Sequence, residues 1–147
     1  TAGTIKSEAY VHALHDLHPK VQVTTLACPL FVPIVESGDF SSDEAKQIIS
    51  KSLKPLQNTG IDTLILGCTH YPLLKPLIHD VMGDEITLID SALETAREMS
   101  TIISHNNIGA TATSPTHRFY STGDQQVLSG LVNQWLNLHS SVKRITL

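Results

Sequence analysis

Helical and strand periodicities alternate along this chain, and the alternation predicts an α/β fold with a doubly wound parallel sheet. Three observations carry that prediction. Apolar residues recur at helical spacing in segments bounded by Ser, Asp, Gly and Pro. Short β-rich runs lie between them, and "DTLILGC" (62–68) is nearly unbroken apolar, the character of a parallel strand covered on both faces. Only "NNIGATATSPT" (106–116) is loop-like over any length, and it reads as a surface connection, not a linker between independent units.

Each element has its own signals. Ser7 is placed to cap a helix that carries Tyr10, Ala13, Leu14 and Leu17 on one face, and Pro19 stops it. "VQVTTLAC" (21–28) is β-branched and reads as a strand ending at Cys28. Ser41 with Glu44 forms a capping-box pattern ahead of Ala45, Ile48, Ile49, Leu53 and Leu56, and Gly60 stands as the residue that ends that helix. After strand 62–68, Pro72 suits the first position of a short helix. "EITLID" (85–90) is the next strand, and Ser91 with Glu94 repeats the capping box before a helix to about Ser104. "THRFYSTGD" (116–124) gives a short strand and a turn. Asp124 then caps a last helix bearing Val127, Leu128, Leu131, Val132, Trp135 and Leu136.

With 147 residues, 41% of them hydrophobic, the chain has material for a core of ordinary domain size. A net charge of −4 with scattered Lys and Arg argues against a nucleic-acid partner. No run reaches the roughly 18 apolar residues of a membrane span, and no basic-then-apolar leader is visible. Cys28 and Cys68 are too few for a disulfide framework, so free thiols in a reducing cytoplasm are expected. The opening "TAGTIKSEAY" lacks an initiating Met and starts inside a Gly turn, which suggests a fragment whose preceding strand lies outside this sequence.

The chemistry concentrates in "LILGCTHYPLL" (64–74), where Cys68, Thr69 and His70 follow directly on a strand. A thiol reacts as its thiolate, which a helix N-terminus or a cationic partner favours. Cys68 has both in prospect, although a Cys after an apolar strand also serves simply as a small buried hydrophobe. His70 beside a thiol is a candidate proton partner, and otherwise a turn histidine. Thr69 reads equally as a turn hydroxyl or a ligand contact. Glu36 ends the otherwise uncharged "PLFVPIVE", at the margin of a core, where partial desolvation suits a carboxylate to acid–base work; the alternative is a solvated helix Glu. Cys28, in "CPLF", reads as structural, though "LACPLFVP" faintly echoes "LGCTHYPLL" and sets both sulfurs at one sheet edge. His12, His15 and His18 form a polar helix face and not a metal set. No phosphate-binding or dinucleotide motif and no cofactor signature is present.

Taken together, "TAGTIKSEAY", "ACPLFVPIVE", "LILGCTHYPLL", "LIDSA" and "FYSTGD" resemble the glutamate racemases, and these strings span nearly the whole chain. The resemblance implies a cofactor-independent isomerase that interconverts L- and D-glutamate and supplies D-glutamate for peptidoglycan in the bacterial cytoplasm, as a homodimer. Such an enzyme removes a Cα proton from one face and returns one to the other, with two thiols on opposite sides of the substrate. By resemblance Cys68 is one of them, His70 assists it, Glu36 supports the pair, and Thr69, Thr1 and Thr4 bind substrate. No metal is implied. The family's other thiol lies in an Ala-Cys-Asn-Thr-Ala-like segment, and an Asp-Ser-Gly loop binds substrate. Neither string occurs here, and the "ACPLF" setting of Cys28 matches a non-catalytic segment. The resemblance is therefore to the C-terminal part of a racemase, with residues 1–90 as most of its second α/β domain and 91–147 as the segment returning to an incomplete first domain.

Two other functions fit the same residues. A thiol hydrolase or transferase would use Cys68 as nucleophile, His70 as proton relay and Glu36 to orient it. A non-catalytic binding domain would use none of them.

Overall fold

The computed structural model describes residues 1–111 and 114–146, which fall into two compact units, Thr1–Met99 and Ser100–Leu147. Both are α/β in character, with parallel strands.

The first unit opens with α1 (Ala2–Lys6) and α2 (Ala9–Leu17). Thr1 caps α1, its side chain accepting from the Thr4 N–H, and the Ser7 hydroxyl accepts from the N–H of Ala9, the first residue of α2, at 3.4 Å. Ser7 ends α1, and α2 starts after Glu8, whose left-handed backbone (φ 50°) breaks what the apolar spacing reads as a single helix start. The expected strand at 21–28 is not formed: this segment pairs with no strand among the described residues. Its β-branched pattern favours an extended backbone, but a strand also needs a ladder partner.

The segment leads into α3 (Phe31–Ser37), which the sequence did not announce because Pro33 and β-branched residues disfavour helix. Burial overrides that preference: Phe31, Ile34 and Val35 all enter the core. α4 (Asp43–Leu53) follows, capped by Ser42, whose Oγ accepts from the Ala45 N–H at 3.0 Å; the expected cap, Ser41, is one residue too early. Asp39 accepts from the Ser41 and Ser42 backbones and from the Ser42 hydroxyl, which fixes the approach to the helix. The chain leaves α4 through a 3₁₀ turn and then Gly60, at φ 77°.

β1 (Thr63–Leu66) lies parallel to β2 (Thr87–Asp90), in the register Thr63 to Thr87 through Leu66 to Asp90. A 3₁₀ turn (Tyr71–Leu74) and α5 (Lys75–Met82) connect them, the βαβ arrangement expected of the class. Phe31, Val35, Ile49, Leu74 and Ile78 are the largest fully buried side chains, so the core is built from α3, α4, α5 and the turn after β1. The strands bury less than an all-covered parallel strand would, with only Leu66 of β1 fully in the core.

α6 (Ser91–His105) begins at the end of β2. Asp90, not the expected Ser91, caps it by accepting from the Leu93 N–H at 2.8 Å. In the second unit β3 (Phe119–Ser121) lies parallel to β4 (Val142–Arg144), which was not expected. α7 (Gln125–Leu136) runs between them, capped by Asp124 as expected, and contributes Leu131 and Val132 to a small core with Val142. The loop expected at 106–116 includes residues 112–113, which lie outside the described residues. Among the described residues no helix is long and apolar enough to cross a membrane.

Candidate active site

The carboxyl end of β1 turns sharply. The Gly67 N–H reaches the Ile65 carbonyl and the Cys68 N–H the Leu66 carbonyl, at 3.1 and 2.9 Å. Gly67 leaves room for a neighbour: a Cβ there would stand 3.0 Å from Cε2 of Tyr10, and the ring would have to give by a few tenths of an ångström. The turn lifts Cys68, Thr69 and His70 off the sheet edge, and the following 3₁₀ turn closes on the His70 carbonyl through the Leu73 N–H.

Three side chains converge on this turn. His70 is partly buried, its side chain 27% exposed, and its Nε2 lies 3.6 Å from Oε1 of Glu36 on the last turn of α3. That is ion-pair range, longer than a hydrogen bond. On the other edge of the ring, Nδ1 lies 3.1 Å from the Thr69 hydroxyl. Cys68 is a free thiol, half-buried against the core. Glu36 is more solvent-exposed, at 46%, than a carboxylate at the edge of a core was expected to be. Its neighbours Ile34 and Val35 take the buried positions of α3.

Tyr71, which the sequence reading did not single out, holds this arrangement together. Its hydroxyl donates to the Cys28 carbonyl at 2.8 Å in a buried contact, and its ring meets Phe31 edge-to-face at 5.1 Å. The turn after β1 is thereby bolted to the start of α3, the helix that carries Glu36. Burial, then the nearby Cys28 and Cys68 sulfurs, push the Tyr71 hydroxyl up to about 12, so it stays a neutral donor. Burial also pushes the Cys28 thiol up, which disfavours its thiolate and suits a packing role. A Tyr directly after the Cys-Thr-His run was the available signal, but its partner is 43 residues away in sequence and no local pattern marks it.

Thr1 and Thr4 form a second pair. Their hydroxyls are 2.8 Å apart, and Thr1 also accepts from the Thr4 N–H. Both line a cavity of about 590 Å³ between the 21–26 segment and β1. Gly67 and Tyr71 contribute to its wall, whereas Cys68, Thr69, His70 and Glu36 do not. Of the expected site residues, His70 thus meets both Thr69 and Glu36, Cys68 stands on the same turn two residues before it, and Thr1 and Thr4 meet separately on the cavity. Among the described residues no cluster of three or more His, Cys, Asp or Glu could hold a metal ion. His12 instead faces Glu8 at 3.8 Å, and His15 meets the Val21 carbonyl at 3.2 Å.

No family model matches the chain. Individual proteins do match. The chain is 46% identical over 151 residues to a glutamate racemase of Carnobacterium sp. (strain St2), covering 100% of this chain and 56% of that protein. In three dimensions it resembles a glutamate racemase isoform of Bacillus anthracis, with a TM-score of 0.89, 41% identity and coverage of 100% of this chain and 55% of that one. It also resembles the glutamate racemase of Francisella tularensis solved in complex with D-glutamate, with a TM-score of 0.85, 28% identity and coverage of 100% and 55%. The chain spans about half the length of the curated relatives it matches.

Proposed function

We propose, for a chain that corresponds to the C-terminal portion of the glutamate racemases, that it supplies one wall of a two-thiol active site that inverts glutamate at Cα. The observation that carries this reading is the turn after β1, where a free thiol, Cys68, shares a strand end with a His70 held between Thr69 and Glu36.

Removing the Cα proton of an amino acid needs a strong base held dry and close, and returning it needs an acid on the opposite face. Cys68 as thiolate takes the proton from one face, or as thiol returns it, depending on direction. By the family resemblance His70 assists this thiol, and Glu36, 3.6 Å from its Nε2, supports the pair. Thr1, Thr4 and Thr69 contact the substrate. The opposing thiol belongs to sequence that this chain does not include, so inversion is a property of the complete enzyme. No cofactor takes part in this scheme. The same reading makes residues 1–90 most of one racemase domain and 91–147 the return into the other. It also carries the family's expected setting: a homodimer in the bacterial cytoplasm, supplying D-glutamate for peptidoglycan.

The test joins this sequence to the N-terminal portion of the Carnobacterium relative and follows glutamate in D₂O. Racemisation with deuterium incorporation at Cα is expected, and Cys68→Ala should reduce it at least about 100-fold, the scale of losing a positioned acid–base group. A folded chimera whose activity survives Cys68→Ala would sink the assignment. So would a trappable thioester without exchange, which is the outcome that favours a Cys68 hydrolase with the same His70–Glu36 pair.

A further inference from the structure

We propose that Thr69 is the positioning residue of the His70 imidazole, fixing which ring nitrogen is presented to Glu36. This gives the Thr69 hydroxyl a role other than substrate contact. Its catalytic consequence rests on the racemase reading, but the geometry does not.

A histidine that is only partly buried is free to turn about its side-chain bonds, and a half-turn of the ring exchanges a nitrogen for a carbon at each edge. Two contacts oppose that motion. Thr69 Oγ1 lies 3.1 Å from Nδ1, and Glu36 Oε1 lies 3.6 Å from Nε2. A carboxylate beside Nε2 favours a proton there, so in the neutral ring Nδ1 is the acceptor and the Thr69 hydroxyl donates to it. When the ring gains a second proton, Nδ1–H becomes a donor and the same hydroxyl turns to accept. A hydroxyl serves both states, which neither an amide N–H nor a carbonyl could do. The ring therefore keeps one orientation while it takes and releases protons.

Packing does not explain this residue. Thr69 is exposed, so its side chain is not filling a core. Its hydroxyl is engaged with the imidazole, and one hydrogen bond leaves it lone pairs for the substrate contact proposed above. The branched Cβ restricts the hydroxyl to few rotamers and so lowers the entropy lost in holding the contact.

The experiment records long-range ¹H–¹⁵N correlations of the ring nitrogens in ¹⁵N-histidine-labelled chain, above the pH at which imidazolium persists. His70 is identified among the eight histidines by the signals lost in His70→Asn. The expected result is a dominant tautomer with the proton on Nε2. Thr69→Val, which keeps the shape but removes the hydroxyl, should move both ring nitrogens toward the averaged shifts of a freely exchanging imidazole. Thr69→Ser should restore the wild-type shifts. A ring unchanged by Thr69→Val, a wild-type proton on Nδ1, or a failure of Thr69→Ser to rescue would each overturn the proposal. Backbone spectra report whether each variant is folded, and Thr69→Ala replaces Thr69→Val if the latter is not. No substrate is present, so a failed racemase assignment leaves this result standing, and a freely rotating His70 would not by itself remove racemase activity.

Discussion

Tyr71 joins the two cysteine-bearing segments, and its single hydroxyl has two measurable consequences. Tyr71→Phe keeps the edge-to-face contact with Phe31 but leaves the Cys28 carbonyl buried without its donor. The expected cost is about 1–3 kcal/mol of stability, read from urea unfolding; an unchanged unfolding midpoint would contradict the contact. The second consequence is a pH dependence. The folded-state value of about 12 lies above the ordinary 10.0, so the unfolded chain gives up this proton first. Stability from Tyr71 is complete below pH 10.0 and is lost as pH rises toward about 12. The alkaline slope of stability should therefore be shallower in Tyr71→Phe than in the wild-type chain. At this scale the sequence exposed the chemistry better than the geometry. Cys68 and His70 were visible because reactive side chains stood together at the end of an apolar run, and Glu36 because it ended an uncharged one. That His70 is held by its own neighbour Thr69, or that Tyr71 reaches back to Cys28, depends on rotamers and on distant packing that no local pattern encodes.

Helix boundaries follow from where hydrogen bonds close. In α7 the Asp124 carboxylate accepts from the Gln126 and Val127 N–H groups at 2.6 and 3.4 Å. Asp124→Ala removes both and should cost about 1 kcal/mol. The measurement is a lower thermal midpoint by circular dichroism, with Asp124→Asn keeping most of the wild-type stability because its amide oxygen can still cap. Asp124 was legible because no competing Ser, Thr, Asp or Asn adjoined it on the helix side. Where candidates were adjacent, the choice went one residue astray. Ser42 wins over Ser41 because its extended backbone (φ −68°, ψ 154°) turns Oγ onto the Ala45 N–H. Asp90 wins over Ser91 because its carboxylate, also held by Lys75 at 2.9 Å, already stands over the first turn of α6. The strand expected at 21–28 failed for a different reason: β-branched residues favour extension, but pairing is a property of the neighbour. β4 was missed because "VKR" is too short to show a period.

For the chain as a whole the decisive feature is what stays uncovered. α6 crosses the division between the two units, and none of its 15 residues is buried. Met99 and Ile102, on one side of that helix, remain 59% and 47% exposed. Helices of this length are marginal in water unless an apolar face is packed. Met99 and Ile102, three residues apart on the helix, are the side chains a partner would cover. The same surface fits the reading in which residues 91–147 return to a domain whose remaining part is outside this sequence. The 147-residue chain by itself should therefore associate: its mass by size-exclusion light scattering should rise with concentration, and should fall back toward monomer in the Met99→Gln/Ile102→Gln double variant. These substitutions touch no core residue, so loss of association with an unchanged circular dichroism spectrum would locate the contact on α6. A monodisperse monomer across the concentration range would mean that this face is stable in water as it stands, and would remove the physical argument that α6 awaits a partner.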